Sequence, residues 1–287
     1  MQSGHRTYTS LTPALVPRQR AAARGQGRDA TTTGAGAGLG IFVCSGSPAI
    51  AEAFAVSGLD WICVDAQHGA VSYNVLHDML AATSGTPAKR IVRVGGPDDR
   101  FGIQQALDLG ADGVMIPLVY TRADAERAVS YCKYPPAGQR SVAYPVRAVY
   151  RKGVGVPALA RYLEDANDET EVWVQIETKE SFESIDDIVS VPGVACAFLG
   201  PADMGFAHGL HVEMKYDLPG MLSSPQIERF YTGVVAACRR AGIKAGAFCL
   251  GKERARQVAA LGYEWVGFDS DLNAAISYAQ GVVQELR

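Results

Sequence analysis

Glu171-Val172-Trp173-Val174-Gln175-Ile176-Glu177 decides how this chain is read. Four β-branched or aromatic residues and one glutamine make a short apolar run that stops at a carboxylate, the signature of a buried strand delivering an acid at its end. Working outward, similar runs recur at 39–44, 61–65, 90–94, 113–117, 195–200, 243–248 and 265–269. Helical periodicity fills the gaps, over 47–56, 74–82, 101–109, 123–131, 227–241, 253–261 and 272–285. Eight strands alternating with helices predict repeated β-α units around a parallel sheet. Residues 39–287 match the roughly 250 residues of a (β/α)8 TIM barrel, and that is the fold expected. A doubly wound open sheet is the competing architecture, but no Gly-x-Gly-x-x-Gly follows the first strand.

Composition narrows the function. Of 287 residues, 48% are hydrophobic and 20% charged, with a formal net charge of -3, which suits a soluble enzyme-sized core and argues against nucleic acid as a partner. No apolar run approaches the roughly 18 residues of a membrane span. Six cysteines occur singly, with no Cys-x-x-Cys pair, so buried thiols are expected in place of a disulfide framework or zinc site. Residues 1–38 stand apart. They carry Arg6, Arg18, Arg20, Arg24 and Arg28 against one acid, Asp29, and close on Gly-Ala-Gly-Ala-Gly. A disordered leader fits this composition, and so does a mitochondrial transit peptide, so the expected location is the cytoplasm, or mitochondria if the leader is a targeting segment.

The chemistry-bearing residues sit where strands end, the rim on which barrel enzymes work. Glu177 closes the fifth run, and Asp203 follows the sixth through Gly200-Pro201-Ala202-Asp203. Two carboxylates on one rim can hold a hard divalent cation, with water and substrate completing its shell. Singly, each has a plainer explanation: Glu177 pairs with a barrel arginine, and Asp203 begins a helix. The Gly-Pro turn also leaves the amides of Ala202 and Asp203 free for an anion. His68 follows the second run, with Asp65 three residues before it to orient the imidazole for acid–base work. Arg93 closes the third run, placed for a carboxylate or carbonyl oxygen, or for a salt bridge. Of the other histidines, His5 lies in the leader, His77 in a helical run, and His208 and His211 in a long loop. Two such loops, 134–167 and 207–225, are expected on the same rim. Together these residues suggest a metal-dependent lyase acting on a small oxo-acid.

In order along the chain, Gly58-Leu59-Asp60-Trp61, Asp65-Ala66-Gln67-His68-Gly69, Val92-Arg93-Val94, Ala106-Leu107-Asp108-Leu109-Gly110-Ala111, Ile116-Pro117, Tyr134-Pro135-Pro136-Ala137-Gly138-Gln139-Arg140, Val174-Gln175-Ile176-Glu177-Thr178 and Gly200-Pro201-Ala202-Asp203 resemble the HpcH/HpaI aldolase family, class II pyruvate aldolases of the phosphoenolpyruvate/pyruvate barrel superfamily. The resemblance spans nearly everything after residue 39. It implies Glu177 and Asp203 as metal ligands for Mg2+ or Mn2+, with Co2+ a third choice. It also implies His68 as acid/base oriented by Asp65, and Arg93 holding the keto oxygen. Gln175 would line the site, and the amides of Ala202 and Asp203 would bind a pyruvyl carboxylate. Asp108 matches a position that approaches the active site of a neighbouring subunit. A homo-oligomer is implied, a hexamer built from dimers that exchange their last helix, here 272–285.

The implied reaction is cleavage of 4-hydroxy-2-oxo acids to pyruvate and an aldehyde through an enolate held at the cation. No lysine closes a strand where a Schiff base would form, which disfavours covalent catalysis. Gln67 departs from the family, which usually carries glutamate before the histidine, and so removes a negative charge beside His68. The segment after Arg140 also diverges. The alternatives are oxaloacetate decarboxylation followed by carbon–carbon bond formation, as in macrophomate synthase, and a catalytically silent oxo-acid-binding barrel, which Gln67 favours.

Overall fold

A computed structural model describes residues 36–287; most of the expected leader lies outside the described residues. All eight expected strands form, with ends displaced by no more than one residue: β1 (Gly38–Val43), β2 (Trp61–Asp65), β3 (Lys89–Arg93), β4 (Gly113–Ile116), β5 (Glu171–Ile176), β6 (Cys196–Leu199), β7 (Lys244–Phe248) and β8 (Trp265–Ser270). They pair in chain order, all parallel, and β8 returns to β1. The sheet is a closed barrel.

Strand periodicity divides the core in two. Outward-facing Ile41, Val64, Val92, Val114, Val174 and Leu199 join the helices in one continuous apolar shell. Inward-facing Phe42, Trp61, Met115, Trp173 and Phe198 fill the interior. Trp61 meets Trp173 edge-on at 5.3 Å between ring centroids, and Trp173 stacks on Phe198 at 6.0 Å. Each such side chain contributes on the order of 2–3 kcal/mol by leaving water, so the lumen is a packed core with the site above it. Helices start soon after the strands because hydroxyl and acidic residues cap them: Ser47, Ser72 and Thr121 accept from backbone N–H groups of the first turn.

The two expected loops are corrected. Within 134–167 the chain forms helices Val146–Tyr150 and Val156–Glu169. Ala158, Tyr162 and Ala166, one helical face, are buried with Tyr134, Ala148 and Val149. Arg140 in this segment donates to Asp108 Oδ1 at 2.6 Å, at the end of the helix Arg100–Asp108. That helix runs down from β3, so the segment packs along the barrel wall toward the amino end of the strands and is not a rim loop. The second segment is also helical, with Leu210–Glu213 and Leu218–Leu222 packed beside Pro201–Ala207. All six cysteines are free thiols. Among the described residues, no helix is long and apolar enough to cross a membrane.

Candidate active site

Parallel register creates the first element of the site. β2 and β3 pair Asp65 directly with Arg93 at their carboxyl ends. Arg93 donates Nε to Asp65 Oδ1 at 2.9 Å and Nη2 to Oδ2 at 2.6 Å, a two-pronged pair around a carboxylate that is 1% exposed. Burial pushes the Asp65 pKa up, but the Arg93 hydrogen bonds and charge outweigh it and hold the group below the ordinary carboxylate value. Asp65 Oδ1 also accepts from the backbone N–H groups of Gln67 and His68, at 3.1 and 3.3 Å. Asp65 therefore fixes the turn that carries His68 through its main chain. Gly69 completes that turn because a Cβ there would lie 2.3 Å from the Asp65 carbonyl oxygen.

The second element follows β5. Glu177 is 3% exposed, and its Oε1 accepts from the Leu118 N–H at 2.8 Å. Leu118 presents that amide from a left-handed conformation, φ +55, which a leucine adopts only when its surroundings compel it. Burial raises the Glu177 pKa to about 7; Asp203's negative charge adds to the rise, while the Leu118 N–H and Arg93 oppose it. Gly200 lies against this carboxylate, and a Cβ there would stand 2.7 Å from Oε2. Two residues before Glu177, Gln175 is 2% exposed, and its Oε1 has no hydrogen-bond partner among the described residues. Asp203, in the first turn of Pro201–Ala207, is exposed; no side chain caps that helix.

These elements converge on a cleft of about 290 Å³ lined by Phe42, Cys44, Asp65, His68, Arg93, Gln175, Gly200, Pro201, Ala202, Asp203, Phe248 and Ser270. Glu177 sits behind Gly200. Of the residues expected from sequence, Asp65, His68, Arg93, Gln175, Ala202 and Asp203 line the cleft and Glu177 borders it; Asp108, expected at a neighbouring subunit's site, pairs with Arg140 away from this subunit's cleft. Phe42, Cys44, Phe248 and Ser270 were not anticipated, although all sit at or beside the carboxyl ends of β1, β7 and β8. Leu118 carries no sequence signal, because its role is played by its backbone.

A divalent cation fits this donor set. Glu177 is a desolvated carboxylate beside a second acid, an arrangement a cation would stabilise. Among the described residues no cluster of three or more Asp, Glu, His or Cys is placed to hold a metal, so Glu177 and Asp203 would form an open site that substrate and water complete.

The chain is similar to known proteins over most of its length. The profile of the HpcH/HpaI aldolase/citrate lyase family matches residues 38–277. The hydroxypyruvate/pyruvate aldolase of Sagittula stellata is 34% identical over 225 residues, covering 78% of this chain and 83% of that protein. The 2-keto-3-deoxy-L-rhamnonate aldolase of Escherichia coli K12 is 30% identical over 232 residues, covering 80% and 82%. A crystal structure of an HpcH/HpaI aldolase/citrate lyase family protein from Burkholderia cenocepacia superposes with a TM-score of 0.75 at 29% identity, covering 88% of this chain and 95% of that one. The chain belongs to the HpcH/HpaI aldolase/citrate lyase family, and it is a carbon–carbon lyase.

Proposed function

We propose that this protein is a class II aldolase that cleaves 4-hydroxy-2-oxo acids, of the 2-oxo-3-deoxy sugar-acid type, to pyruvate and an aldehyde. The observation that carries this is the convergence of the Asp65–Arg93 pair, His68, the Gln175 Oε1 that has no donor among the described residues, and the Gly200–Asp203 turn on one cleft bordered by Glu177. The aldolase names of relatives that span most of the chain support the substrate class.

Glu177 and Asp203 would hold Mg2+ or Mn2+, with Co2+ a third choice, and the bound cation would act as a Lewis acid toward the 2-oxo group. The amides of Ala202 and Asp203, in an uncapped turn, bind the substrate carboxylate, and Gln175 Oε1, which accepts no hydrogen bond among the described residues, takes one from a substrate hydroxyl. His68, exposed in the cleft on a turn fixed by Asp65, removes the 4-hydroxyl proton as the C3–C4 bond breaks. Negative charge then gathers on the enolate oxygen, and uptake of a proton at C3 turns the enolate into pyruvate. Arg93 faces that charge already oriented, since Asp65 takes two of its nitrogens. Exposed apolar residues along the last helix, Asp271–Leu286, support a homo-oligomer in which that helix packs on, or exchanges with, a second copy.

The test is pyruvate release from racemic 4-hydroxy-2-oxo acids, with EDTA and with Mn2+ or Mg2+ restored, for wild type and Glu177→Ala, with oxaloacetate as a parallel substrate. Release that needs metal and is lost in the variant is expected. Metal-independent release, or release by Glu177→Ala at the wild-type rate, rules the metal site out. Preference for oxaloacetate turns the assignment toward decarboxylation.

A further inference from the structure

Asp271, the first residue of the last helix, is the only buried residue of that helix. Its carboxylate bridges the start of the helix and the end of β1. Oδ1 accepts from the Cys44 N–H at 2.9 Å and Oδ2 from the Ser45 N–H at 3.1 Å, while Leu272 donates its own N–H to Oδ1 at 2.8 Å. A bulge makes this reach possible. Between Gly40↔Gly267 and Phe42↔Ser270 the β1–β8 ladder gains a residue on β8, and such an insertion re-aims the side chains that follow it. On the other side of Cys44, its Sγ lies 3.5 Å from Asp65 Oδ2, the oxygen that also receives Arg93 Nη2. Cys44 and Ser270 both line the cleft.

We propose that Asp271 is a positioning residue for the catalytic cleft: by holding the amides of Cys44 and Ser45 it sets the β1 wall against the Asp65–Arg93 pair, and so builds the first turn of the last helix into the site. The role of the cleft itself rests on the aldolase reading above. Two carboxylates grip Cys44, one through its backbone and one through its thiol. Burial first, then Asp65 and then Asp271 push the thiol up to about 12, so Cys44 is neutral and slow to alkylate at neutral pH. Asparagine at 271 would set an amide N–H against one of the two backbone donors, breaking one arm of the grip and removing a negative charge beside the thiol.

The experiment compares wild type with Asp271→Asn in three measurements. The first is metal-dependent exchange of pyruvate C3 protons in deuterium oxide, which needs no aldehyde. The second is iodoacetamide labelling of Cys44 followed by peptide mass mapping, with Cys44→Ser as control. The third, on wild type alone, is hydrogen exchange of the Cys44 and Ser45 amides. The expected results are a KM for pyruvate raised roughly tenfold with kcat nearly kept, because the β1 wall no longer sits correctly against the Asp65–Arg93 pair, faster labelling of Cys44, and slow exchange of both wild-type amides. Unchanged KM in folded Asp271→Asn, Cys44 labelling at the wild-type rate, or fast exchange of those amides overturns the assignment. If the variant does not fold, the wild-type amides decide. Absence of pyruvate exchange in wild type would instead overturn the aldolase function, and the labelling and amide measurements would still judge Asp271.

Discussion

Gly200 shows how strongly single residues constrain the site. Its missing Cβ makes room for Glu177 Oε2, 2.7 Å from where that atom would be, so Gly200→Ala is expected to displace the carboxylate and weaken Mn2+ binding about tenfold or more; titration calorimetry showing unchanged affinity would remove Glu177 from the metal site. Asp65 contributes to the acid limit of the fold, as do Asp112 and Asp124, whose carboxyls are also held below the ordinary value. The folded pKa of Asp65 lies below the ordinary carboxylate value, so its stabilising effect is complete above about pH 4 and lost as pH falls through the lowered value. Asp65→Asn should melt earlier at pH 7, by about 3 kcal/mol for breaking a buried pair, and its melting temperature should fall less on acidification than that of wild type. Equal acid limbs for the two proteins would contradict this account. His68, Arg93, Glu177 and Asp203 were legible because side-chain chemistry at strand ends is visible in sequence. The Asp65–Arg93 pair needed the β2–β3 register, and the Leu118 N–H needed a backbone angle; neither leaves a mark in residue type.

Among the elements, strands were more legible than helices. Each strand is a dense apolar run, so its ends could be placed within a residue. Helix Val156–Glu169 was missed because its inner face is Ala158, Tyr162 and Ala166, and alanines give little hydrophobic contrast against the polar face. Glycines at 153 and 155 and the preceding prolines reinforced the impression of a loop. The last helix poses the opposite case, clear in sequence but poorly covered within its own subunit. Leu272, Ile276, Val283 and Leu286 fall near one face and are 49%, 56%, 46% and 80% exposed, spacing that suits packing on a second copy. The double variant Ile276→Glu, Val283→Glu should therefore sediment as a smaller species than wild type while the barrel keeps its melting transition. An unchanged sedimentation coefficient would show that this face is not an interface.

At the scale of the whole molecule, β1 closes on β8 within residues 36–287, and the described cleft residues run from Phe42 to Ser270. We propose that the barrel is complete without residues 1–35, as the composition break near residue 38 first suggested. A protein beginning at residue 36 should melt with the full-length chain and retain metal-dependent activity; loss of either would assign the leader a part in the fold or the chemistry. Phe42, Trp61, Trp173 and Phe198 also have a kinetic consequence. Their rings pack against one another beneath the cleft, so among the described residues the barrel lumen is filled below the site and the cleft has an aromatic floor. A cleavage above that floor yields two fragments that share one mouth, so product release is expected to be ordered, with the fragment against the aromatic rings leaving second.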